Sequence, residues 1–207
     1  MSDSNLAVPE LGGVEIHGMT RGAFIVKGAL TAGAVYGAAS VGPFVGQALA
    51  QGGGDVDILN FALTLEYLEA DFYRKGQSLG LSGDVMKLAK EFGDAETQHV
   101  AALTQTVKKL GGTPAAKPTF VFPIKDEKSF LALAQTLEDT GVSAYNGAAP
   151  QIQSKDVLGA AGSIVQIEAR HAAAIRLQTS QAPAPDAFDK SLMKAAVLKA
   201  VKPLIKA

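Results

Sequence analysis

The chain has 207 residues, of which 47% are hydrophobic and 19% charged, and this is enough for one domain with a sizeable core. It contains no cysteine, which excludes disulfide bonds and every kind of cysteine-ligated metal site. The formal net charge of −1 shows no basic footprint for a nucleic-acid partner.

The first 50 residues have the pattern of an export signal. A polar start leads to Arg21, Gly22 and Phe24, and a Gly/Ala-rich apolar stretch then ends in Ala48-Leu49-Ala50, a small-residue cleavage site before Gln51. The arrangement resembles a twin-arginine signal, although Gly22 stands where the second arginine would be. Residues 1–50 are therefore predicted to be a degenerate twin-arginine-like export signal, with a Sec signal or an uncleaved N-terminal anchor as alternatives. The predicted location is periplasmic, cell-envelope or extracellular.

Residues 51–181 are predicted to form four long helices. Apolar stripes at helical spacing, with glycine or proline after each stripe, place these helices at about 57–77, 83–110, 126–149 and 154–179. The segment 111–125 contains three prolines and is predicted to be a long crossover between the second and third helices. No membrane span is predicted after residue 50.

The tail, residues 182–207, is predicted to carry a short amphipathic helix beginning near Ala187. Its packing face would consist of Phe188, Leu192, Ala195, Ala196 and Val197. Its lysines would face solvent.

Two Glu-x-x-His motifs carry the chemistry of this sequence. They are Glu96 with His99 and Glu168 with His171, and on a helix the two members of each motif lie on one face. A lone glutamate, Glu66, precedes the first motif by 30 residues.

A second lone glutamate, Glu138, precedes the second motif by the same 30 residues, so the whole pattern repeats at an offset of 72. Tyr73 and Tyr145 each follow a lone glutamate by seven residues and match at the same offset. The repeat indicates a helix pair that occurs twice and whose matched positions line a shared core.

Four carboxylates and two imidazoles, without a thiolate, suit iron or manganese, and zinc less specifically. Four carboxylates buried together repel one another, and each then resists ionisation. Two divalent cations would supply four positive charges against four negative ones. The pattern therefore predicts a di-metal site, against the alternatives of surface charges or a metal-free bundle.

The ligand pattern resembles that of the ferritin-like di-iron and di-manganese carboxylate bundles. The stretches LNFALTLEYLEADFY and AFDKSLMKAAVLKAV resemble the exported ferritin-like proteins that are labelled desiccation-related, and the resemblance covers roughly residues 55–200. It implies an all-α, ferritin-like four-helix bundle with a long crossover between helices 2 and 3. The absence of cysteine argues against a rubrerythrin.

The resemblance also implies roles for the residues of the pattern. Glu66 and His99 would bind one metal ion, Glu138 and His171 the other, and Glu96 and Glu168 would bridge the two ions. Tyr73 and Tyr145 would donate hydrogen bonds to the carboxylates, with simple core packing as the alternative.

Glu69, one turn after Glu66, is predicted to lie at the wet edge of its helix, with an auxiliary ligand role as the alternative. Asp71 is predicted to be solvated.

The function implied is redox chemistry of two iron ions with O₂ or peroxide, as a ferroxidase or a peroxide scavenger in stress protection. One alternative is a di-manganese enzyme with catalase activity. Another is a non-catalytic metal-binding protein that protects against desiccation or stress. The expected partners are metal ions and O₂ or peroxide, and assembly into a homo-oligomer stays open.

Overall fold

Four long helices make up most of residues 54–206, the part of the chain that the computed structural model describes. Their bounds are α1 Asp55–Gly76, α2 Gly83–Lys109, α3 Glu127–Ala148 and α4 Lys155–Gln178. A short helix, α5 Lys194–Val201, follows in the tail. The predicted all-α fold with four long helices is confirmed, and each bound lies within two residues of its prediction. The predicted export signal at residues 1–50 lies outside the described residues.

Polar side chains define where the second helix pair begins. Asp126 accepts a hydrogen bond from the Ser129 backbone N–H at 2.8 Å, while the Ser129 hydroxyl accepts one from the Asp126 N–H at 3.1 Å. This reciprocal pair satisfies backbone donors that the first turn of α3 leaves free. Ser154 caps α4 by accepting a hydrogen bond from the Val157 N–H at 3.3 Å.

The helices pack as two hairpins, α1 with α2 and α3 with α4, each joined by a short connection. One hydrophobic cluster between them is rich in aromatic rings, in which Phe72, Tyr73 and Phe130 contact one another and Phe92 contacts Tyr73. A second cluster is mainly aliphatic and is formed by residues near the start of α1 and α4 and near the end of α2. The midpoints of the four helices lie between the two clusters.

The crossover between α2 and α3 lies on α1 through polar and apolar contacts. Lys117 Nζ lies 2.9 Å from Asp71 Oδ1, Lys75 Nζ donates to the Phe120 carbonyl at 3.0 Å, and the Phe120 ring is buried. Phe120 also forms an isolated antiparallel bridge with Ile205 in the tail. The long crossover is therefore confirmed.

The prediction that Asp71 is solvated is wrong, because three cations surround its carboxylate. Its side chain is 7% exposed and pairs with Lys117, Arg74 and Lys75. Burial by itself would raise the pKa of Asp71, but the hydrogen bonds from Lys117 and Arg74 hold this pKa below its usual value. Asp71 thus connects the crossover to α1.

The tail differs from its prediction in where its helix begins. Before Lys194 the segment is irregular, and the Leu192 N–H donates to the Ser143 carbonyl of α3 at 2.9 Å. Phe188, Ala195 and Ala196, predicted to pack, are exposed. The buried tail residues are Val197, Val201 and Leu204. Docking of the Leu192 backbone on α3 fixes the register of the tail. In this register Phe188 does not pack on the bundle.

We expect Gly147→Ala to detach this part of the tail. A β-carbon on Gly147 would lie 2.0 Å from the Leu192 carbonyl oxygen, a backbone atom that cannot rotate away. The free energy of unfolding should fall by roughly 1–3 kcal/mol, as for other overpacked sites. Urea unfolding and the rate of tryptic cleavage in the tail measure the effect.

Gly159→Ala in α4 is the matched control, since apart from its chain neighbours and the backbone of its own helix no atom lies within 4 Å of the position of its β-carbon. It should leave stability unchanged or raise it by up to about 1 kcal/mol. Equal stability and equal cleavage of both variants would contradict the docking of Leu192 on α3.

Within residues 54–206, no helix combines the length and the apolar character that crossing a membrane requires.

Candidate metal centre

Six side chains from the four long helices converge between the two hydrophobic clusters. They are Glu66 from α1, Glu96 and His99 from α2, Glu138 from α3, and Glu168 and His171 from α4. All four glutamates are fully buried. The sequence repeat therefore brings its matched residues to one place, because each lies near the middle of its helix.

The six residues form two overlapping groups, and within each group the candidate ligand atoms all lie within 4.8 Å of one another. One group consists of Glu66, Glu96, His99 and Glu168, and the other of Glu96, Glu138, Glu168 and His171. Glu96 and Glu168 belong to both groups, which is the position of bridging ligands. The structure thus arranges these residues as the resemblance implies, and metal binding by them stays a prediction.

Both imidazoles turn Nδ1 towards the carboxylates. His99 Nδ1 lies 2.9 Å from Glu96 Oε2, 3.2 Å from Glu66 Oε2 and 3.3 Å from Glu168 Oε1. His171 Nδ1 lies 3.0 Å from Glu96 Oε1 and 3.5 Å from Glu138 Oε2. Each histidine therefore directs one ring nitrogen at its own group of carboxylate oxygens.

Several atoms of the cluster are buried without a hydrogen-bond partner among the described residues. These atoms are Glu96 Oε1, Glu138 Oε2, both carboxylate oxygens of Glu168, and His171 Nδ1. The contact between His171 Nδ1 and Glu96 Oε1 is short, but its angles are not those of a hydrogen bond. Buried polar atoms are nearly always satisfied, so unsatisfied atoms that converge on one place indicate a site for a cation. Oxygen and imidazole nitrogen donors of this kind fit two iron or manganese ions.

Burial dominates the electrostatics of the glutamates. It raises the pKa of Glu66 to about 8 and also raises the pKa values of Glu138 and Glu168. Glu96 is the exception: burial would raise its pKa, but the close imidazoles of His171 and His99 lower it to about 2. Glu96 is therefore the carboxylate that keeps its charge without metal.

The pKa values of the two histidines are raised, although burial by itself would lower them. Burial would lower the pKa of each imidazole, but the carboxylates that surround Nδ1 raise the pKa of His99 to about 12 and that of His171 to about 10. In the metal-free centre at neutral pH, protons on the two histidines supply the positive charge that the carboxylates need.

We expect metal binding at pH 7 to release these protons. His99, His171 and Glu66 have metal-free pKa values above 7, so each holds a proton that a metal ion must displace. Raising the pH removes the competing protons, so the affinity for Mn(II) should increase with pH. Calorimetric titration with Mn(II) in two buffers of different ionisation enthalpy counts the protons. Equal heats in both buffers would contradict this assignment.

The two tyrosines of the repeat connect its halves. The Tyr73 hydroxyl on α1 donates to Glu138 on α3, and the Tyr145 hydroxyl on α3 donates to Glu66 on α1. Burial, together with the nearby carboxylates, raises the pKa of both phenols well above the usual value, so they stay protonated as donors. Each tyrosine thus orients the lone glutamate of the opposite hairpin.

Removing either hydroxyl should weaken metal binding without removing it. We expect Tyr73→Phe and Tyr145→Phe each to lower Mn(II) affinity about 10- to 100-fold, the usual cost of losing a partner of a ligand. Tyr67→Phe is the matched control on α1, since Tyr67 is half-buried in hydrophobic contacts. A loss of affinity in the control equal to that in the two variants would assign the tyrosines to packing alone.

The prediction that Glu69 lies at the wet edge of α1 is wrong. Glu69 is only 3% exposed and lies beside the cluster, near Glu168 and opposite Gly141. The sequence signal for this position was its spacing of one turn from Glu66. Nothing in the sequence singled out Phe92, whose ring stacks on His171 with a centroid distance of 3.9 Å.

Comparison with known proteins is consistent with this fold. Residues 54–181 match the family model described as a ferritin-like domain. Among solved structures, a conserved hypothetical protein, rv2844, from Mycobacterium tuberculosis is similar over 70% of this chain and 99% of its own, with a TM-score of 0.57 and 18% identity. At that identity the likeness shows the fold alone. No curated protein matches this sequence.

Proposed function

Because this chain belongs to the ferritin-like domain family, we propose that its buried Glu/His cluster is a di-iron centre that oxidises Fe(II) with O₂ or peroxide. The observation that supports the proposal is the sharing of Glu96 and Glu168 by two groups of oxygen and nitrogen donors. Two shared carboxylates, with one glutamate and one histidine for each group, fit a pair of ions rather than a single ion.

The bundle would shield the centre unequally on its two sides. The His99 side chain is 13% exposed, whereas the His171 side chain is 7% exposed and is covered by the Phe92 ring. A small reactant such as O₂ or peroxide would therefore approach from the His99 side. While the reactant binds, the buried hydroxyls of Tyr73 and Tyr145 would keep Glu138 and Glu66 oriented.

Two Fe(II) ions at this centre would supply two electrons, which with two protons convert H₂O₂ into two molecules of water. Residues of the chain would hold and orient the reactants and provide a low-dielectric surrounding. Because metal binding would displace the protons of His99 and Glu66, the two protons that the reaction consumes would come from solvent.

The test begins with metal-free protein under anaerobic conditions. Two equivalents of Fe(II) per chain should bind, and one equivalent of H₂O₂ should then oxidise both ions, as followed by near-ultraviolet absorbance and a peroxide assay. O₂ release from peroxide by the Mn(II)-loaded protein, with no oxidation of bound Fe(II), would replace the proposal by catalase-like activity. Retention of two ions with neither reaction would assign a non-catalytic, protective role.

We further propose that the protein works outside the cytoplasm, on the strength of the signal-like pattern of residues 1–50. Expression of the full chain, followed by fractionation and N-terminal sequencing, tests this proposal. We expect a mature chain that begins at Gln51 in the exported fraction. An intact N-terminus in the cytoplasmic fraction would overturn it.

A further inference from the structure

Glu69 is a fifth buried carboxylate beside the candidate metal centre, and the six-residue pattern does not account for it. It is 3% exposed, and no hydrogen bond or ion pair in residues 54–206 involves its carboxylate. The charged groups that act on it most strongly are the four other glutamates of the cluster. An ionised carboxylate in such surroundings costs several kcal/mol, in order of magnitude, unless a cation compensates it.

Gly141 on α3 provides the space that Glu69 occupies. A β-carbon on Gly141 would lie 2.9 Å from Glu168 Oε2 and 3.1 Å from Glu69 Oε1, so any side chain there would displace both carboxylates. These two oxygens therefore both lie against the bare backbone of Gly141. Glu168 Oε2 has no hydrogen-bond partner among the described residues either.

Positions 69 and 141 are equivalent in the sequence repeat, since they differ by the same offset of 72. The repeat places glutamate in the first half and glycine in the second, so the pseudo-symmetry of the centre is broken at this point. The structure shows the physical reason: the side chain from one half fills the space that its counterpart leaves empty. The two sides of the centre are thus chemically different.

The extra carboxylate changes the balance of charge between the centre and the metal ions that it would bind. Five carboxylates carry five negative charges when ionised, and the two imidazoles are neutral as metal ligands. Two divalent ions supply only four positive charges and leave one buried negative charge without a counter-charge. An ion pair in which one or both ions are trivalent supplies five or six positive charges and compensates every carboxylate.

The geometry points to Glu69 as a further metal ligand, which binds the ion pair from the Glu168 side and favours trivalent over divalent ions. This inference rests on the proposed di-iron function and deepens it. It implies that Glu69 stabilises the centre once iron is oxidised and so lowers the reduction potential of the bound iron.

The test compares wild-type protein with Glu69→Gln, which keeps the shape of the side chain and removes its charge. Terbium(III), which does not change its oxidation state here, is titrated by luminescence, and Mn(II) by calorimetry. We expect the substitution to lower Tb(III) affinity at least about tenfold and to change Mn(II) affinity less than about threefold, since the fifth negative charge is needed to compensate trivalent ions and exceeds the charge of two divalent ions. A redox titration of the iron-loaded variant should show a higher midpoint potential.

Asp71→Asn is the matched control, because Asp71 is a buried acid on the same helix that pairs with Lys117 of the crossover instead of facing the centre. It should change neither affinity nor the midpoint potential. Glu69→Asp keeps the charge on a shorter side chain and should give an intermediate Tb(III) affinity.

The outcomes separate this inference from the proposed function. Wild-type protein that binds no Mn(II) or Fe(II) would overturn the di-metal proposal itself. Two bound equivalents of Mn(II), with equal Tb(III) affinity and equal midpoint potential in wild type and Glu69→Gln, would overturn only the role of Glu69.

Discussion

We expect the protein loaded with two Mn(II) ions to unfold roughly 10–20 °C above the metal-free protein. A ligand present at 100 times its dissociation constant stabilises the folded state by about 2.7 kcal/mol, so two such sites contribute about 5 kcal/mol. In a domain of this size each kcal/mol raises the midpoint by about 2–4 °C. Thermal unfolding followed by circular dichroism, with and without a chelator, measures the shift.

Glu168→Gln supplies the control for this shift. Burial raises the pKa of Glu168 in the metal-free protein, so a neutral amide at this position should leave the metal-free fold intact. The variant should melt at the same temperature with and without Mn(II), because it lacks a carboxylate common to both groups. A wild-type midpoint that Mn(II) leaves unchanged would show that the cluster does not bind metal.

We expect the glutamate variants to differ in how many metal ions they lose. Glu96→Gln and Glu168→Gln should each lose both ions, since each of these carboxylates belongs to both groups. Glu66→Gln should lose one ion and keep the other, because Glu66 belongs only to the group of His99. At each metal site that loses a ligand, we expect Mn(II) affinity to fall more than about 100-fold. This exceeds the usual cost of removing a residue that only hydrogen-bonds to a ligand.

Elemental analysis after dialysis against a low concentration of Mn(II) counts the ions in each variant. Glu91→Gln is the control on α2, where Glu91 is 56% exposed and pairs with Lys87. It should retain both ions. Equal stoichiometry in Glu66→Gln and Glu168→Gln would contradict the division into terminal and bridging carboxylates.

The convergence of the six ligand candidates was predictable because spacing alone determines it. A spacing of three residues places Glu96 and His99 on one helical face, and the repeat at 72 residues places an equivalent pair at Glu168 and His171. Glycine and proline then set the helix ends closely enough that both pairs fall at mid-helix. These signals are local, or are periodic along the chain, and so they can be read without knowing the packing.

The burial of the Glu69 and Asp71 side chains was not predictable in the same way, because it depends on residues that are distant in sequence. Glu69 is buried because Gly141 of α3 leaves space opposite it, and Asp71 because Lys117 of the crossover reaches it. The exposure of Phe188 has a similar origin, since contact of the Leu192 backbone with α3 fixes the tail. Helical periodicity shows which side of a helix a residue occupies, but not what faces it.

The sharing of ligands between the two hairpins has a consequence for how fast metal exchanges. The group of His99 takes Glu168 from the second hairpin, and the group of His171 takes Glu96 from the first. With both sites filled, the hairpins could not separate without breaking bonds to both ions. Conversely, a bound ion that leaves through the core must wait for such a separation. The residence time of the metal should then follow the opening rate of the bundle, and slow amide exchange in α1 and α3 should accompany slow metal release.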